Sequence, residues 1–543
     1  MYRLIIHNFH PQFMISNALL ALDDDTLILL YSFLDLKTIL SLRQVSRRLL
    51  AVSKTRIVWL NALKANVIHQ GYPVPFDAIQ QFNSFELEVC TRNSHEAGLF
   101  WTDPSRRPRR RTHLEVSSCA ISEVHFLPDH KRNRFVTVTT GIWVVVEVWD
   151  MGDLYSPLNA APKKIAEWCP KGIVLRHFVV NSVPNSEFVI ALSYDSSLPG
   201  HQHIEVFSLR EQESRFPYGL VCRRKMEMKC APVALQAHHL IISDDAVETH
   251  IVDLKTKCSA TLQGLEVPAD YHFQYNRCLN VIFERDYVFV VRARSMEVFT
   301  DIVFQPPGAP LVLNHPVASH SFGWIGGIAL SPQSLDSQIE TDHFPPYTIV
   351  LRAENDDPWS QNTYSLNVYT LHPNPDYVRT ASPSSSRSSS PDVDISTHGT
   401  DIDESHLNQS SNDANLNPYI FPPTLEKTIP LTRGYLRLPK VFIGRNGTGI
   451  WVQARPRHTD LTTFDVHSSE AQAPHSDNPR EYIAGALFPG VLHDRHPELS
   501  MYEERTLCKL NIVGGNFTAA DYDEKTGRLV LGTWKGNVII FDL

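Results

Sequence analysis

The hydrophobic period of the chain changes to two at Thr112. From there to Leu543, short runs of β-branched and aromatic residues are separated by turn residues about every ten residues. Alternation of apolar and polar residues is typical of strands that bury one face. The sequence therefore predicts an all-β domain over residues 112–543, preceded by a region of different, helical character.

The repeating unit of this domain is clearest in residues 516–543. They read as three strands separated by an Asp-Glu-Lys-Thr-Gly turn and a Lys-Gly-Asn turn. Gly527 and Gly536 suit turn positions with positive φ angles. The unit resembles a WD-repeat blade, and Phe541-Asp542-Leu543 stands where that family has its closing Trp-Asp.

Further copies of the unit recur along the domain, although most lack the Gly-His dipeptide of the family. The resemblance implies a β-propeller of about seven irregular blades, and an array of β-sandwiches is the alternative. The copies end near residues 149–150, 206–209, 251–254, 297–299, 366–369, 449–454 and 541–543.

The final unit has three strands, whereas a WD-type blade has four. Closed β folds avoid an unpaired strand edge, so the fourth strand is expected from the start of the domain. Residues 112–117 alternate polar and apolar residues and lie just before the first complete unit. We therefore predict that they pair with residues 538–541 and clasp the ring shut.

Residues 373–428 form a long stretch rich in serine, aspartate and asparagine. The stretch holds too few apolar residues to offset the entropy lost on ordering, and it predicts a disordered insertion between two blades. Ser382 and Ser390 each precede a proline. The stretch is either a target of proline-directed phosphorylation or a spacer without selected sequence.

Residues 17–63 have the period of short helices. Asp23 to Asp25 place acids and N-cap residues at a helix start, and leucines then recur at spacings of three and four. Three or four short helices are predicted. So short a module buries little surface alone and holds more large aliphatic residues than it can bury, so some are expected at an interface.

This helical stretch resembles the F-box. Leu22 stands at the leading leucine of the family and Trp59 at its closing tryptophan. Asp23 replaces the proline of the family, and Asp25 replaces its glutamate. The steps between them match in order at Ser32-Phe33-Leu34, Asp35-Leu36-Lys37-Thr38-Ile39-Leu40 and Val45-Ser46-Arg47-Arg48.

The resemblance implies a substrate-recognition subunit of an SCF-type (Skp adaptor, cullin, F-box) ubiquitin ligase. The propeller would bind an unknown target protein, and other subunits would carry out ubiquitin transfer, so the chain itself is not expected to be an enzyme. One alternative is a helical hairpin that packs on a propeller scaffold for protein assembly unrelated to ubiquitin. The residues implied for the adaptor face or its supporting core are Leu22, Leu30, Leu34, Leu36, Leu40, Val45 and Trp59.

Between the two regions lies a predicted helical linker, residues 64–111, in which residues 76–100 suit one amphipathic helix. The linker ends in a basic cluster, and five arginines around a proline predict a solvated segment. The cluster is a charged linker, a nuclear import signal or a site for acidic or phosphorylated partners. Its members are Arg106, Arg107, Arg109, Arg110 and Arg111.

The remaining features exclude several classes of function. A net charge of -9 argues against a nucleic-acid-binding protein. The eight cysteines form no Cys-x-x-Cys pair, which predicts reduced thiols without a metal or other cofactor. The His201–His203 and His238–His239 pairs have no third ligand at useful spacing. With residues 1–16 read as an extension without a secretory signal, the expected location is cytoplasm or nucleus, without membrane contact.

Overall fold

Helices occupy the N-terminal part of the structure, and strands occupy the rest, as the change of period at Thr112 predicts. The structure is a computed structural model. It describes residues 21–129, 132–153, 161–195, 202–212, 215–244, 246–265, 276–284, 287–333, 344–354, 364–377, 417–431, 438–454, 481–508 and 517–543.

Four short α-helices form the first part of the helical module, which is here defined as residues 24–102. Polar side chains set three of their starts: the carboxylates of Asp23 and Asp35 accept from the backbone N–H groups of Thr26 and Thr38, each at 2.7 Å, and Ser46 caps the third helix. The helices are α1 Asp24–Ser32, α2 Leu36–Leu42, α3 Arg47–Ser53 and α4 Arg56–Leu63.

The second part of the helical module corrects the prediction of one helix over residues 76–100. A π-helical turn, Lys64–Ile68, is followed by a 3-10 helix, Phe76–Gln81, and then by α5, Ser84–Thr102. The break falls at Asn83, whose side chain forms a reciprocal capping box with Glu86. Helix α5 is no linker, because its apolar residues belong to the largest core of the protein.

Seven sheets follow, one for each blade of a β-propeller. Blade 1 consists of β2 Ile121–Leu127, β3 Arg132–Thr140, β4 Val144–Asp153 and β5 Lys163–Trp168. Blade 2 consists of β6 Val174–Val180, β7 Ile190–Asp195, β8 Gln202–Glu211 and β9 Tyr218–Glu227. Blade 3 consists of β10 Ala231–Gln236, β11 His239–Ser243, β12 Glu248–Asp253 and β13 Ser259–Gln263. Blade 4 consists of β14 Cys278–Glu284, β15 Tyr287–Arg292, β16 Ser295–Thr300 and β18 Ala318–Ser321, and before β18 the short strand β17, Leu313–Asn314, pairs in parallel with β13. Blade 5 consists of β19 Ile325–Pro332, β20 Tyr347–Glu354, β21 Tyr364–Leu371 and β22 Thr424–Pro430. Blade 6 consists of β23 Val441–Ile443, β24 Thr448–Ala454, β25 Glu481–Leu487 and β26 Arg505–Cys508. The last three strands, β27 Phe517–Asp523, β28 Arg528–Thr533 and β29 Asn537–Asp542, belong to blade 7.

The predicted clasp closes the ring. The strand β1, Arg110–Glu115, pairs antiparallel with β29 and supplies the fourth strand of blade 7. Thr112 lies opposite Ile540, and Leu114 lies opposite Val538. The α plus all-β class and the seven-bladed ring are confirmed, and an array of β-sandwiches is excluded.

The predicted insertion at residues 373–428 is wrong at both of its ends. Pro373 forms a β-bridge with Tyr419, and β22, which starts within the range, is the outer strand of blade 5. Tyr419 is buried, and its hydroxyl lies 2.6 Å from that of Tyr287. The middle of the range, residues 378–416 with Ser382 and Ser390, lies outside the described residues.

One hydrophobic core joins the helical module to blades 6 and 7. It contains Trp59 and Leu87 from the helices, Ile483 from blade 6, and Leu531 and Phe541 from blade 7. Burial of apolar surface is the dominant stabilising term in folding. The helical module is therefore held on the propeller by the same kind of contact that holds each blade together.

Candidate functional site

Two large apolar side chains of α1 and its C-cap point into solvent. Leu29 of α1 is 59% exposed, and Phe33, the residue that ends this helix, is 80% exposed. Residues four apart lie on the same face of a helix, so the two form one surface, here called the α1 apolar face. Exposed apolar surface of this kind marks an interface.

The residues implied by the F-box resemblance divide by exposure. Leu36 and Trp59 are buried in the core. Val45, in the turn between α2 and α3, is 61% exposed. The partly buried members are Leu22, Leu30, Leu34 and Leu40. Adaptor binding by these residues stays a prediction, and the structure separates those that support the fold from those that can reach a partner.

The two residues of the α1 apolar face were not among those implied by the resemblance. Phe33 lies in the matched Ser-Phe-Leu step but was not singled out, and neither was Leu29. A helical projection groups Leu29 with Phe33 and separates them from Leu27 and Tyr31, which are buried, but it does not show which of the two apolar faces is exposed.

Arg43, at the end of α2, links the group of helices α1–α4 to α5. Arg43 donates two hydrogen bonds to the carboxylate of Glu88, at 2.7 and 2.9 Å, and its guanidinium lies 5.3 Å from the centre of the Trp59 ring. Bidentate pairs of this kind fix the relative orientation of the two side chains. The α1 apolar face is therefore presented from a braced group of helices.

Polar contacts fix how the helical module sits on blade 6. The amide nitrogen of Asn446 donates to the backbone oxygen of Gly71 at 2.7 Å, and Tyr72 stacks on His496 with ring centres 5.7 Å apart. A side chain at Gly71 would bring its Cβ within 2.8 Å of the Val491 oxygen. The two parts thus approach closely enough to require glycine at this position.

Glu524 lies beneath this contact in the β27–β28 turn. Its carboxylate accepts from the backbone N–H of Asn446 at 3.1 and 3.2 Å and from the hydroxyl of Thr448 at 2.5 Å. Burial raises the pKa of Glu524 to about 7, and Asp523 adds to the rise, against the lowering effect of these hydrogen bonds. A titratable group thus underlies the contact between helices and propeller.

The helical module packs against blades 6 and 7 on one face of the ring. Asn446 and Glu524 lie in turns that join the first and second strands of their blades. Because neighbouring strands are antiparallel, turns between second and third strands lie on the opposite face, here called the distal face. The propeller therefore keeps a second face that the helical module does not occupy.

Three large apolar residues are exposed on the distal face. Ile142 and Trp143 in the β3–β4 turn are 90% and 47% exposed, and Trp534 in the β28–β29 turn is 44% exposed. Residues 117–119 bridge the two turns: the backbone N–H of Ser117 donates to Gly536, and Cys119 lies against Gly141. Exposed tryptophan is enriched among residues that dominate protein interfaces.

Part of the basic cluster is held in a strand of the propeller. Arg110 and Arg111 begin β1, where their backbones pair with Asp542 and Phe541, so these two residues belong to a strand and not to a linker. Their side chains lie outside the described residues. The other half is exposed: Arg106, Arg107 and Arg109. A role of the cluster in import or partner binding stays a prediction.

A channel of about 890 Å³ runs along the first strands of the blades. Its lining carries both signs of charge, with Glu123 and Asp521 beside Arg176, Arg277 and Lys440. A lining of mixed sign lacks the single-sign field that concentrates a charged ligand. The two exposed apolar surfaces are therefore the stronger candidates for partner binding.

The strand pairing defines the chain as a β-propeller protein with an N-terminal helical module. No protein-family model matches the chain, and no curated protein matches it. Among solved structures it is similar to the β-propeller domain of Cps50 (Swd1) from Myceliophteria thermophila, with a TM-score of 0.40 and 9% identity over 80% of this chain and 99% of that chain. The assignment of seven blades depends on the strand pairing and not on this similarity.

Of the helices that the structure describes, none combines the length and the apolar character of a membrane span.

Proposed function

We propose that this protein is the substrate-recognition subunit of an SCF-type ubiquitin ligase. The observation that carries the proposal is the α1 apolar face, Leu29 and Phe33, which is exposed on a group of helices whose sequence resembles the F-box. A Skp-type adaptor would bind this face, and through it a cullin scaffold. The adaptor would bury two side chains that water now surrounds.

The arrangement of the two parts supports this proposal. The helical module is fixed to blades 6 and 7, and the distal face with Trp143 and Trp534 points away from it. A receptor of this kind acts by proximity: it holds target lysines near the loaded conjugating enzyme and so raises their effective concentration. The catalytic groups belong to other subunits, so this chain needs no active site of its own.

The test is co-purification of the full chain with the Skp-type adaptor and the cullin. The double variant Leu29→Asp, Phe33→Asp should lose adaptor binding by about 100-fold or more, because truncating central interface residues costs about 2 kcal/mol or more each. Both side chains are exposed, so thermal unfolding should stay within about 0.5 kcal/mol of the parent. Replacing Leu34 instead would perturb the core against which it packs.

The matched control is the double variant Ile142→Asp, Trp143→Asp, which places the same two charges on exposed apolar residues of the distal face. It should leave adaptor binding unchanged. Adaptor binding that survives in the double variant, or a parent chain that does not bind the adaptor, would contradict the proposal. The second outcome would favour the alternative, a propeller scaffold whose helices serve an assembly unrelated to ubiquitin.

A further inference from the structure

Two adjacent histidines and an aspartate converge in blade 3. His238 lies in the β10–β11 turn after Ala237, whose φ of 52° is left-handed, and His239 begins β11. Asp253, at the end of β12, lies opposite His239 in the strand ladder. The sequence placed no third ligand near the histidine pair, because the hairpin between β11 and β12 separates Asp253 from it along the chain.

The three side chains are close enough to share one ion. One ligand atom from each lies within 4.8 Å of the other two, and Nε2 of His238 is 3.9 Å from Oδ2 of Asp253. Ligand atoms around a tetrahedral Zn²⁺ lie about 3.4 Å apart, given bond lengths of about 2.0–2.1 Å. Small rotations of the side chains within their rotamer wells suffice to close this difference.

The two histidine rings lie close together at the start of β11. Their centres lie 4.2 Å apart, and among the described residues neither imidazole forms a hydrogen bond. An imidazole ligates a metal through the lone pair of a ring nitrogen, in its neutral form.

Hydrogen bonds orient the carboxylate of Asp253. Asp253 accepts from the backbone N–H of Lys255 at 2.8 Å and from the hydroxyl of Thr256 at 2.7 Å. Hydrogen bonds to a ligating carboxylate are the usual support of a metal site.

Apolar rings complete the surroundings. His239 stacks against Phe283 with ring centres 6.0 Å apart, and its ring centre lies 5.7 Å from that of Phe304. These rings restrict solvent on one side of the cluster, while His238 is partly exposed on the other. An apolar wall of this kind lowers the local dielectric constant, and this strengthens the attraction between a metal ion and a carboxylate.

We propose that His238, His239 and Asp253 form a Zn²⁺ site in blade 3. Two imidazole nitrogens and one carboxylate oxygen are a ligand set that suits Zn²⁺, with water as the fourth ligand. The ion would link the β10–β11 turn to the end of β12. It would stabilise the folded chain by binding it in preference to the unfolded chain.

The test uses the full chain, freed of metal with a chelator and titrated with ZnCl₂. Calorimetry should give one ion per chain at this site, and the thermal midpoint should rise with Zn²⁺ concentration. Co²⁺ in place of Zn²⁺ should give the intense visible absorption of tetrahedral coordination. In His238→Ala and in Asp253→Asn, affinity should fall at least about 10-fold, since each change removes a ligand.

The matched control is His320→Asn, which removes a histidine of blade 4 that packs edge-on against Phe322. It should keep parental Zn²⁺ affinity. The proposal is overturned if the parent binds no Zn²⁺. It is equally overturned if both ligand variants bind Zn²⁺ as the parent does, since the ion would then lie elsewhere. Neither result bears on adaptor binding, so the two proposals fail independently.

Discussion

Glu524 is a carboxyl group that folding removes from water at the contact between propeller and helices. Its pKa is raised from 4.5 to about 7. The folded chain therefore holds this proton more tightly than the unfolded chain between these two pH values. A group of this kind contributes most stability below its unfolded pKa, and that contribution is lost as the pH rises through its folded pKa.

The variant Glu524→Gln removes this titration and keeps an oxygen that can accept from Asn446 or Thr448. We expect the free energy of unfolding of the parent to fall relative to the variant between about pH 4.5 and pH 7, by on the order of 3 kcal/mol. Denaturant unfolding of both proteins across this range measures the difference. A difference that stays constant with pH would show that folding does not shift the pKa of Glu524.

At the scale of single elements, blade 5 shows where its long insertion starts and ends. The backbone N–H of Asn374 donates to Pro418, and that of Ile420 donates to His372, both at 2.9 Å. The two ends of the segment thus lie side by side. A short linker can join them without strain, because the entropy of loop closure depends weakly on loop length.

Deleting residues 378–416 and joining the ends with a short Gly-Ser linker should leave the thermal midpoint of the propeller unchanged. Extending the deletion to residue 428 should lower it sharply, because this removes buried Tyr419 and most of β22. The pair of deletions can be compared by calorimetry. An equal loss of stability in both would place a structural role within residues 378–416.

The sequence predicted those elements that carry their own local signals. Asp23 and Asp35 are helix caps by residue type, and β1 alternates in the way that a clasp strand must. The strand β22 was missed because only Ile429 of its residues is buried, so it lacks alternation. The break at Asn83 was missed because the apolar period continues across it.

The candidate sites were harder to predict, because they depend on contacts between distant residues. The resemblance located the helical module, but exposure of Phe33 and burial of Trp59 depend on how α1 and α4 pack. Asp253 meets His238 only through the register of β11 and β12. Sequence spacing carries no record of either contact.

At the scale of the whole molecule, the ring is stabilised by one pairing between distant parts of the chain. Removing residues 540–543 takes away Ile540, Phe541 and Leu543, all buried, and leaves β1 with a shortened partner. A propeller leaves only short, protected strand edges, and the truncation frees part of β1, which joins the start of the ring to its end, so we expect the loss to spread beyond blade 7. The thermal midpoint should fall by several degrees or more, as large losses of core packing do.

Hydrogen exchange separates a global effect from local fraying. In the truncated chain, the backbone amides of β11 in blade 3 should lose protection together with those of β28 in blade 7. Protection that persists in β11 while β28 exchanges freely would mean that the blades are stable one by one. The clasp would then be a local feature.

The pairing of β1 with β29 also orders events during synthesis. Strand β1 leaves the ribosome before any blade exists, and β29 is the last of the described strands to follow. Blades 6 and 7, on which the helices pack, are likewise made late. Until β29 is made, the nascent chain thus carries an unpaired strand and exposed helical apolar surface, the features that chaperones recognise. Ring closure and seating of the helices therefore come together, once blades 6 and 7 have been synthesised.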